Sequence, residues 1–399
     1  MTDLPKTNTL RIRSIDVLRA VTMVLMIWVN DFWTLIGVPE WLEHMPAAAD
    51  AMGFSDVIFP AFLVIVGLSI PFALDKRMES QSSWEVVAHI LLRSLALIVM
   101  GFFHVNLENI YGDAMIIPVP VWQILLTIAF FLVWNDYQGT GWPWQRTRVA
   151  QGIGLALLIG LGIIFRGGNA DQIIGLRTHW WGILGLIGWA YLYAALVYWA
   201  FRGSMIPIVG AWIFFLLFHL ANFAGYLDFL EPIHLGVWMP DRGTGVALVL
   251  GGVVASSVYK RLAQEAYGQF IGVLLVMSSL MLLYGWLTRP AFELSKIRAT
   301  PAWIGYCTAI TLSAYALIYY LVDIRKWDGW YRWIKPAGRS TLTVYLIPYI
   351  YYAVMRMIGI HLPEALRTGI IGLLKSLLFA LLIVAIAGFL NRWKIRLKI

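Results

Sequence analysis

Residues 13–31 read RSIDVLRAVTMVLMIWVND, and residues 55–73 read SDVIFPAFLVIVGLSIPFA. Each stretch is apolar and long enough to cross a bilayer as a helix, which takes about 17–25 residues. Yet the first carries Asp16, Arg19 and Asp31, and the second opens on Asp56. The loop between them, 37–54, holds Glu40, Glu43, His44 and Asp50 but no Lys or Arg. Ionisable groups inside a bilayer are costly, so they are rare unless they line a cavity or do chemistry. A histidine and several carboxylates at the mouth of two adjacent spans point to a membrane-embedded catalytic site.

Composition agrees with a membrane solvent. The chain is 60% hydrophobic and only 13% charged, whereas soluble domains are about half apolar and a quarter charged. The expected fold class is all-α: a polytopic helix bundle forming one transmembrane domain over 1–399, both termini cytoplasmic. The single cysteine, Cys307, excludes an intramolecular disulfide. The net charge of +8 reads as basic cytoplasmic loops, not as a nucleic-acid surface. No cleaved leader is expected, because residues 1–14 are polar and basic and no A-x-A-like site follows the first apolar stretch.

Twelve apolar segments are long enough to span: 15–36, 55–75, 84–106, 117–135, 148–165, 180–201, 205–222, 243–260, 269–288, 300–323, 337–356 and 370–391. With the N-terminus inside, nineteen of the 30 Lys and Arg face the cytoplasm and seven face outward. The other four, Arg19, Arg93, Arg356 and Lys375, lie within spans. This bias sets the orientation and places His44 outside. Aromatic runs at 180–181, 327–333 and 349–352 fit interfacial belts.

Several residues carry possible chemistry, each with a plainer alternative. An imidazole in general titrates near neutral pH, which suits His44 to the role of general base; it is otherwise a loop histidine at headgroup level. Asp56 suits a partner that fixes the imidazole's tautomer, but helix starts favour Asp as a cap in any case. Asn30 suits an oxyanion donor, or, with Asp31, simply marks the end of the span. Asp16 and Arg19, three apart on one helical face, form an ion pair, or Arg19 joins Arg11, Arg13 and Arg339 to bind an anion. The segment KPAGRSTLTVYLI, 335–347, offers Arg339, Ser340 and free backbone N–H groups to phosphate; it serves equally as a positive-inside flank. His104 and Glu108 are four apart, but two ligands do not make a metal site. His89, His179, His219, His234 and His361 stand apart from them. No zinc spacing is present and no metal is expected.

Taken together, these residues resemble the transmembrane acyltransferase family of heparan-alpha-glucosaminide N-acetyltransferase, in particular its bacterial members. The family pattern is R-x-x-S-x-D-x-x-R-G, a V-N ending that span, a loop His, then D-x-x-F-P-x-F-x-F-I-x-G-x-S-I. Matching positions are Arg11 or Arg13, Ser14, Asp16, Arg19, Asn30, His44, Asp56, Phe59, Pro60, Phe62, Gly67, Ser69 and Ile70. The match is dense over 13–75, the signature segment, and recurs in WWGILGLIGWAYL (180–192), ATPAW (299–303) and GRSTLTVYL (338–346). Ala20 stands where the family has Gly, and the loop from Asn30 to His44 is longer, with Pro39 and Pro46 flanking its end.

The resemblance implies an acyltransferase of the bacterial inner membrane, with a homodimer as a further expectation. It would move acetyl from cytosolic acetyl-CoA to an amine or hydroxyl of an extracytoplasmic sugar or glycan. His44 would be the base, Asn30 its partner and Asp56 its orienting carboxylate, while Arg19, Arg339 and Ser340 would hold the CoA phosphates. The competing class is a secondary transporter of a small organic solute, which twelve spans with both ends inside would also fit. Transporter halves usually repeat, and residues 13–73 have no counterpart near 205. A non-enzymatic membrane assembly protein would not need the charge cluster.

The orientation is open to direct labelling. A cysteine at Ala48 is expected to react with an impermeant maleimide from outside, and one at Gln81 to be protected; the reverse pattern would overturn the topology.

Overall fold

The computed structural model describes residues 12–179, 182–233, 240–262, 267–360 and 362–399. Arg11, Trp180, Trp181, His234 and His361 lie outside the described residues. The protein is helical almost throughout. The helices are α1 (Arg13–Asn30), α2 (Ser55–Ser80), α3 (Ser83–Asn106), α4 (Val119–Trp134), α5 (Trp144–Ile164), α6 (Ile183–Ala200) and α7 (Met205–Phe223). They continue with α8 (Thr244–Leu262), α9 (Tyr267–Phe292), α10 (Pro301–Tyr319), the short α11 (Lys335–Arg339), α12 (Thr341–Ile358) and α13 (Gly369–Arg392). A hairpin pairing Gly167–Gly168 with Ile173–Ile174 accompanies them.

Each of the twelve apolar segments is helical. Among the described residues, ten helices are long and apolar enough to cross a membrane. The other two depart for visible reasons: α1 carries Arg13, Asp16 and Arg19, and α4 is 16 residues long. The chain is a multi-pass helical membrane protein.

Two segments differ in detail from the sequence expectation. The first span stops at Asn30, not near 36. The Asp31 N–H turns back to Trp28 and Val29, and its carboxylate is anchored to α12 and α13, so the chain leaves as a 3₁₀ turn over Phe32–Thr34. The segment 337–356 breaks at Ser340, which has φ −127° and ψ 44°. Ser340 is buried, and its hydroxyl accepts from Asn391 Nδ2 at 2.9 Å, which ties the break to the end of α13.

Helix packing uses small residues, as membrane interfaces do when backbones must approach closely. A Cβ at Gly67 would lie 1.8 Å from the Val249 carbonyl oxygen, and one at Gly252 would lie 2.0 Å from that of Val64. These two glycines press α2 directly onto α8. α1 touches α2, α10, α11, α12 and α13, so its residues face the sites described below from the middle of the bundle.

The α2–α8 contact generates a paired test. Gly67→Ala forces backbone apart and should lower the thermal midpoint of the detergent-solubilised protein, since overpacking typically costs about 1–3 kcal/mol. Gly152→Ala on α5, where a Cβ meets nothing within 4 Å, should leave it unchanged or raise it, because Ala is the better helix former. Equal midpoints for Gly67→Ala and the parent protein would refute the close-contact reading.

Candidate active site

His44 and Asp56 are neighbours. His44 Nδ1 lies 2.7 Å from Asp56 Oδ1. Asp56 is fully buried, in the first turn of α2, so its charge needs partners. Its second oxygen accepts from the Met45 N–H at 3.2 Å and the Gly53 N–H at 3.0 Å. Gly53 is required locally, because a Cβ there would lie 1.9 Å from the Glu43 carbonyl oxygen. The carboxylate therefore assigns the ring proton to Nδ1 and leaves Nε2 as the basic nitrogen. The His44 side chain is 45% exposed.

A third group joins them that sequence reasoning did not name. Lys296, on the loop between α9 and α10, places Nζ 3.1 Å and 3.3 Å from the two ring nitrogens of His44 and 3.9 Å from Asp56 Oδ1. Near-equal distances to both nitrogens put the ammonium beside the ring, off the lone-pair axis of Nε2. Burial pulls the Lys296 ammonium below the ordinary lysine value, while Asp56 pulls the other way. The last turn of α9 and the same loop grip the His44 loop further along. Arg289 Nε donates to Asp50 Oδ1 at 3.0 Å, and the Leu294 N–H donates to the same oxygen at 2.7 Å. The Arg289 hydrogen bond in particular holds the Asp50 carboxyl below its usual range.

Asp31 has its own set of partners. Lys375 Nζ lies 2.6 Å from Oδ2, Ser376 Oγ donates to the same oxygen at 2.5 Å, and Tyr352 donates to Oδ1 at 2.6 Å. This cluster pins the end of α1 to α12 and α13 and fixes where Asn30 emerges.

Two cavities lie on the other flank of α1. The inner one, of about 340 Å³, is lined by Arg19, Arg93, Arg339 and Lys398, with Phe62, Ser69 and Tyr191 among its walls. Among the described residues lining it, no Asp or Glu appears. Arg19 is held in place by Asp16 at 3.3 Å, by the Gly338 carbonyl at 3.4 Å and by the Ser69 hydroxyl. Arg93 lies over the Tyr191 ring, 4.9 Å from its centroid. The outer cavity, of about 360 Å³, is lined by Asn30, Trp33, His104, Glu108, Gln123, Tyr349 and Arg356. Ile183, Leu184 and Tyr345 line both, so the cavities stand back to back with these three side chains between them.

His104 is unusual in the outer cavity. It is 8% exposed, and among the described residues neither ring nitrogen has a hydrogen-bond partner. Its ring stacks on Tyr349 at 4.2 Å and meets the edge of Phe130 at 5.3 Å. Leaving a buried polar group unpaired costs about 1–3 kcal/mol.

The structure thus brings His44 to Asp56, and Arg19 to the same cavity as Arg339. His44 lines neither cavity, and Asn30 lines the outer one, so His44 and Asn30 do not share a lining here. Ser340 lines neither cavity and is committed to Asn391. Arg93, Lys296 and Lys398 join the expected residues. Arg93 was visible in the sequence as one of four charges within spans; nothing in the sequence paired Lys296 with His44.

Residues 11–117 match the family described as heparan-alpha-glucosaminide N-acetyltransferase, catalytic. The chain is similar to these acetyltransferases. The matched segment runs from the start of α1 past α3, so it holds Arg19, Asn30, His44, Asp56 and Arg93 and also His104 and Glu108. Heparan-alpha-glucosaminide N-acetyltransferase of Homo sapiens is 27% identical over 126 residues, which is 31% of this chain. The aligned stretch spans 18% of the human protein. The family match lies over residues 11–117, in the N-terminal part of the sequence.

Proposed function

We propose that this protein is a membrane acyltransferase that takes acetyl from cytosolic acetyl-CoA and places it on an amine or hydroxyl of an extracytoplasmic sugar. The observation that carries the reading is the pair of cavities that stand back to back across Ile183, Leu184 and Tyr345. One end is cationic and lined by the C-terminal residues Lys398 and Ile399; the other is polar, uncharged in balance and lined by Asn30. An anionic nucleotide with a long uncharged arm ending in a thioester matches that sequence of environments. The likeness of residues 11–117 to an acetyltransferase catalytic segment supports the same chemistry.

In this reading Arg19 and Arg339 bind the phosphates, with Arg93 and Lys398 adding to the field. Guanidinium groups suit phosphate because their forked donors match its geometry. The arm passes Tyr345 and brings the thioester carbonyl to Asn30, whose amide stabilises the tetrahedral oxyanion. His44 takes the proton from the attacking amine or hydroxyl at Nε2, and the thiolate leaves with a proton returned by the imidazolium. Asp56 holds the ring and favours its charged form in the transition state. Asp56 binds His44, Met45 and Gly53 together, so the loop and the first turn of α2 hold the imidazole as one piece. Catalytic contacts are commonly looser without substrate and tighten on binding.

The transporter reading has less behind it. Transporters also use Asp–His pairs as proton relays, so it is the likeness of residues 11–117 to an acetyltransferase catalytic segment that favours the enzyme.

Three substitutions separate these readings. His44→Ala should cut acetyl transfer by about 10²–10⁴-fold, the usual worth of general acid–base catalysis, with CoA affinity kept. Asp56→Asn should give a smaller loss. Arg339→Ala should weaken CoA binding, and more so at low ionic strength, where screening is least. Wild-type transfer by the His44→Ala protein would remove His44 from the mechanism. Unchanged CoA affinity in Arg339→Ala at every salt concentration would remove the cationic cavity from it.

A further inference from the structure

We infer that the connection from α10 to α11, residues 325–335, is a docking surface for the headgroups of anionic phospholipids. The inference goes beyond the acyltransferase reading and does not depend on what either cavity binds.

The chain on both sides sets the place. One apolar span ends at Ile324 and the next begins at Thr341, so the segment runs along the membrane boundary. It is fastened to the start of α1. The Ser14 N–H donates to Asp323 at 3.2 Å, and Arg13 pairs with Asp328. Gly329–Trp333 forms a 3₁₀ turn. Tyr331 within it is buried, and its hydroxyl lies against α11, where a Cβ on Gly338 would be 3.3 Å away. The segment is therefore a fixed platform.

That platform presents tryptophan outward. A 3₁₀ helix has three residues per turn, so side chains at i and i+3 eclipse. Trp330 and Trp333 keep that spacing, and Trp327 precedes them by three. Their exposures are 64% for Trp327, 39% for Trp330 and 72% for Trp333. The Trp330 indole donates to the Trp327 carbonyl at 3.2 Å, which ties the first two together. Indoles exposed at the end of a span belong at headgroup level, where an apolar ring and a wet N–H are both satisfied.

Charge names the headgroup. The segment holds Arg325, Lys326, Arg332 and Lys335 against one carboxylate, Asp328, and Arg13 already takes that carboxylate. Arg325, Lys326 and Arg332 are exposed. The Arg332 guanidinium lies over the Trp333 ring, 4.9 Å from its centroid, so cation and indole share one edge. Each cation beside an anionic leaflet adds to the attraction. A soluble anion would use the cations and leave three indoles in water; a lipid headgroup with its chains uses both.

The test titrates the detergent-solubilised full-length protein with phosphatidylglycerol and with phosphatidylcholine, followed by native mass spectrometry. Lys326→Gln with Arg332→Gln removes two exposed cations from the segment. Arg146→Gln with Arg148→Gln removes two from the start of α5, where both are also exposed, and controls for net charge. The parent protein should bind phosphatidylglycerol more tightly than phosphatidylcholine, with a preference that shrinks as salt rises. Phosphatidylglycerol affinity should fall about tenfold in the segment variant and stay within about twofold in the control. A parent protein with no preference for phosphatidylglycerol would overturn the inference whatever the variants do. Equal losses in the two variants would overturn it as well, because the lipid would then be reading net charge alone. Displacement of bound phosphatidylglycerol by inorganic phosphate would do the same, by making the surface a soluble-anion site.

Discussion

A carboxylate placed in a bilayer must be neutralised or answered by a cation, because water is not there to solvate it. The architecture is organised around that requirement. Asp31 meets Lys375, and Asp16 meets Arg19. Asp56 meets His44 with Lys296 close by. Each pairing joins segments distant in the chain or fixes a helix end. Asp31 binds the end of α1 to α13, 344 residues later. Asp56 binds the loop to α2, and Lys296 brings in a loop 252 residues from His44. These contacts therefore set geometry.

From that follows a division of the molecule by α1. On one flank the His44–Asp56 pair rests against the loop before α10, with the Trp303 indole donating to the Asp56 carbonyl at 3.0 Å. On the other, two cavities meet at Tyr345. The cationic cavity holds four basic side chains gathered from α1, α3, α11 and the C-terminal tail. The tail is fastened there: Arg396 lies 2.5 Å from Asp136, and the Leu397 N–H donates to Thr343 at 2.9 Å. In the proposed reading, charge in one cavity and neutral polarity in the other suit a donor with an anionic head and a reactive tail.

Much of this was legible in the sequence, and for a simple reason. A lipid solvent demands long apolar helices, so each of the twelve apolar segments appears as a helix. The short-range pair Asp16–Arg19 and the loop pair His44–Asp56 are also close in sequence. Arg19 and Arg339 were grouped on charge alone, and they do line one cavity. Contacts between distant segments were not legible. Lys296 beside His44, Lys375 on Asp31 and Arg93 in the cationic cavity depend on how helices pack. His104 looked like an isolated histidine with Glu108, because its meaning lies in Tyr349 and in the cavity it faces. The placement of Asn30 away from the His44–Asp56 pair likewise comes from the Asp31 anchor and the stop of α1, which no local pattern encodes.

The central claim is that a CoA thioester runs from the cationic cavity past Tyr345 to Asn30. Cryo-electron microscopy of the protein with a non-hydrolysable acetyl-CoA analogue tests it most directly. The account predicts density with its phosphates at Arg19 and Arg339, its arm beside Tyr345 and Leu184, and its sulfur end in the outer cavity near Asn30. Nucleotide density elsewhere on the protein, or an arm that ends short of Tyr345 with the outer cavity sealed from it, would contradict the account.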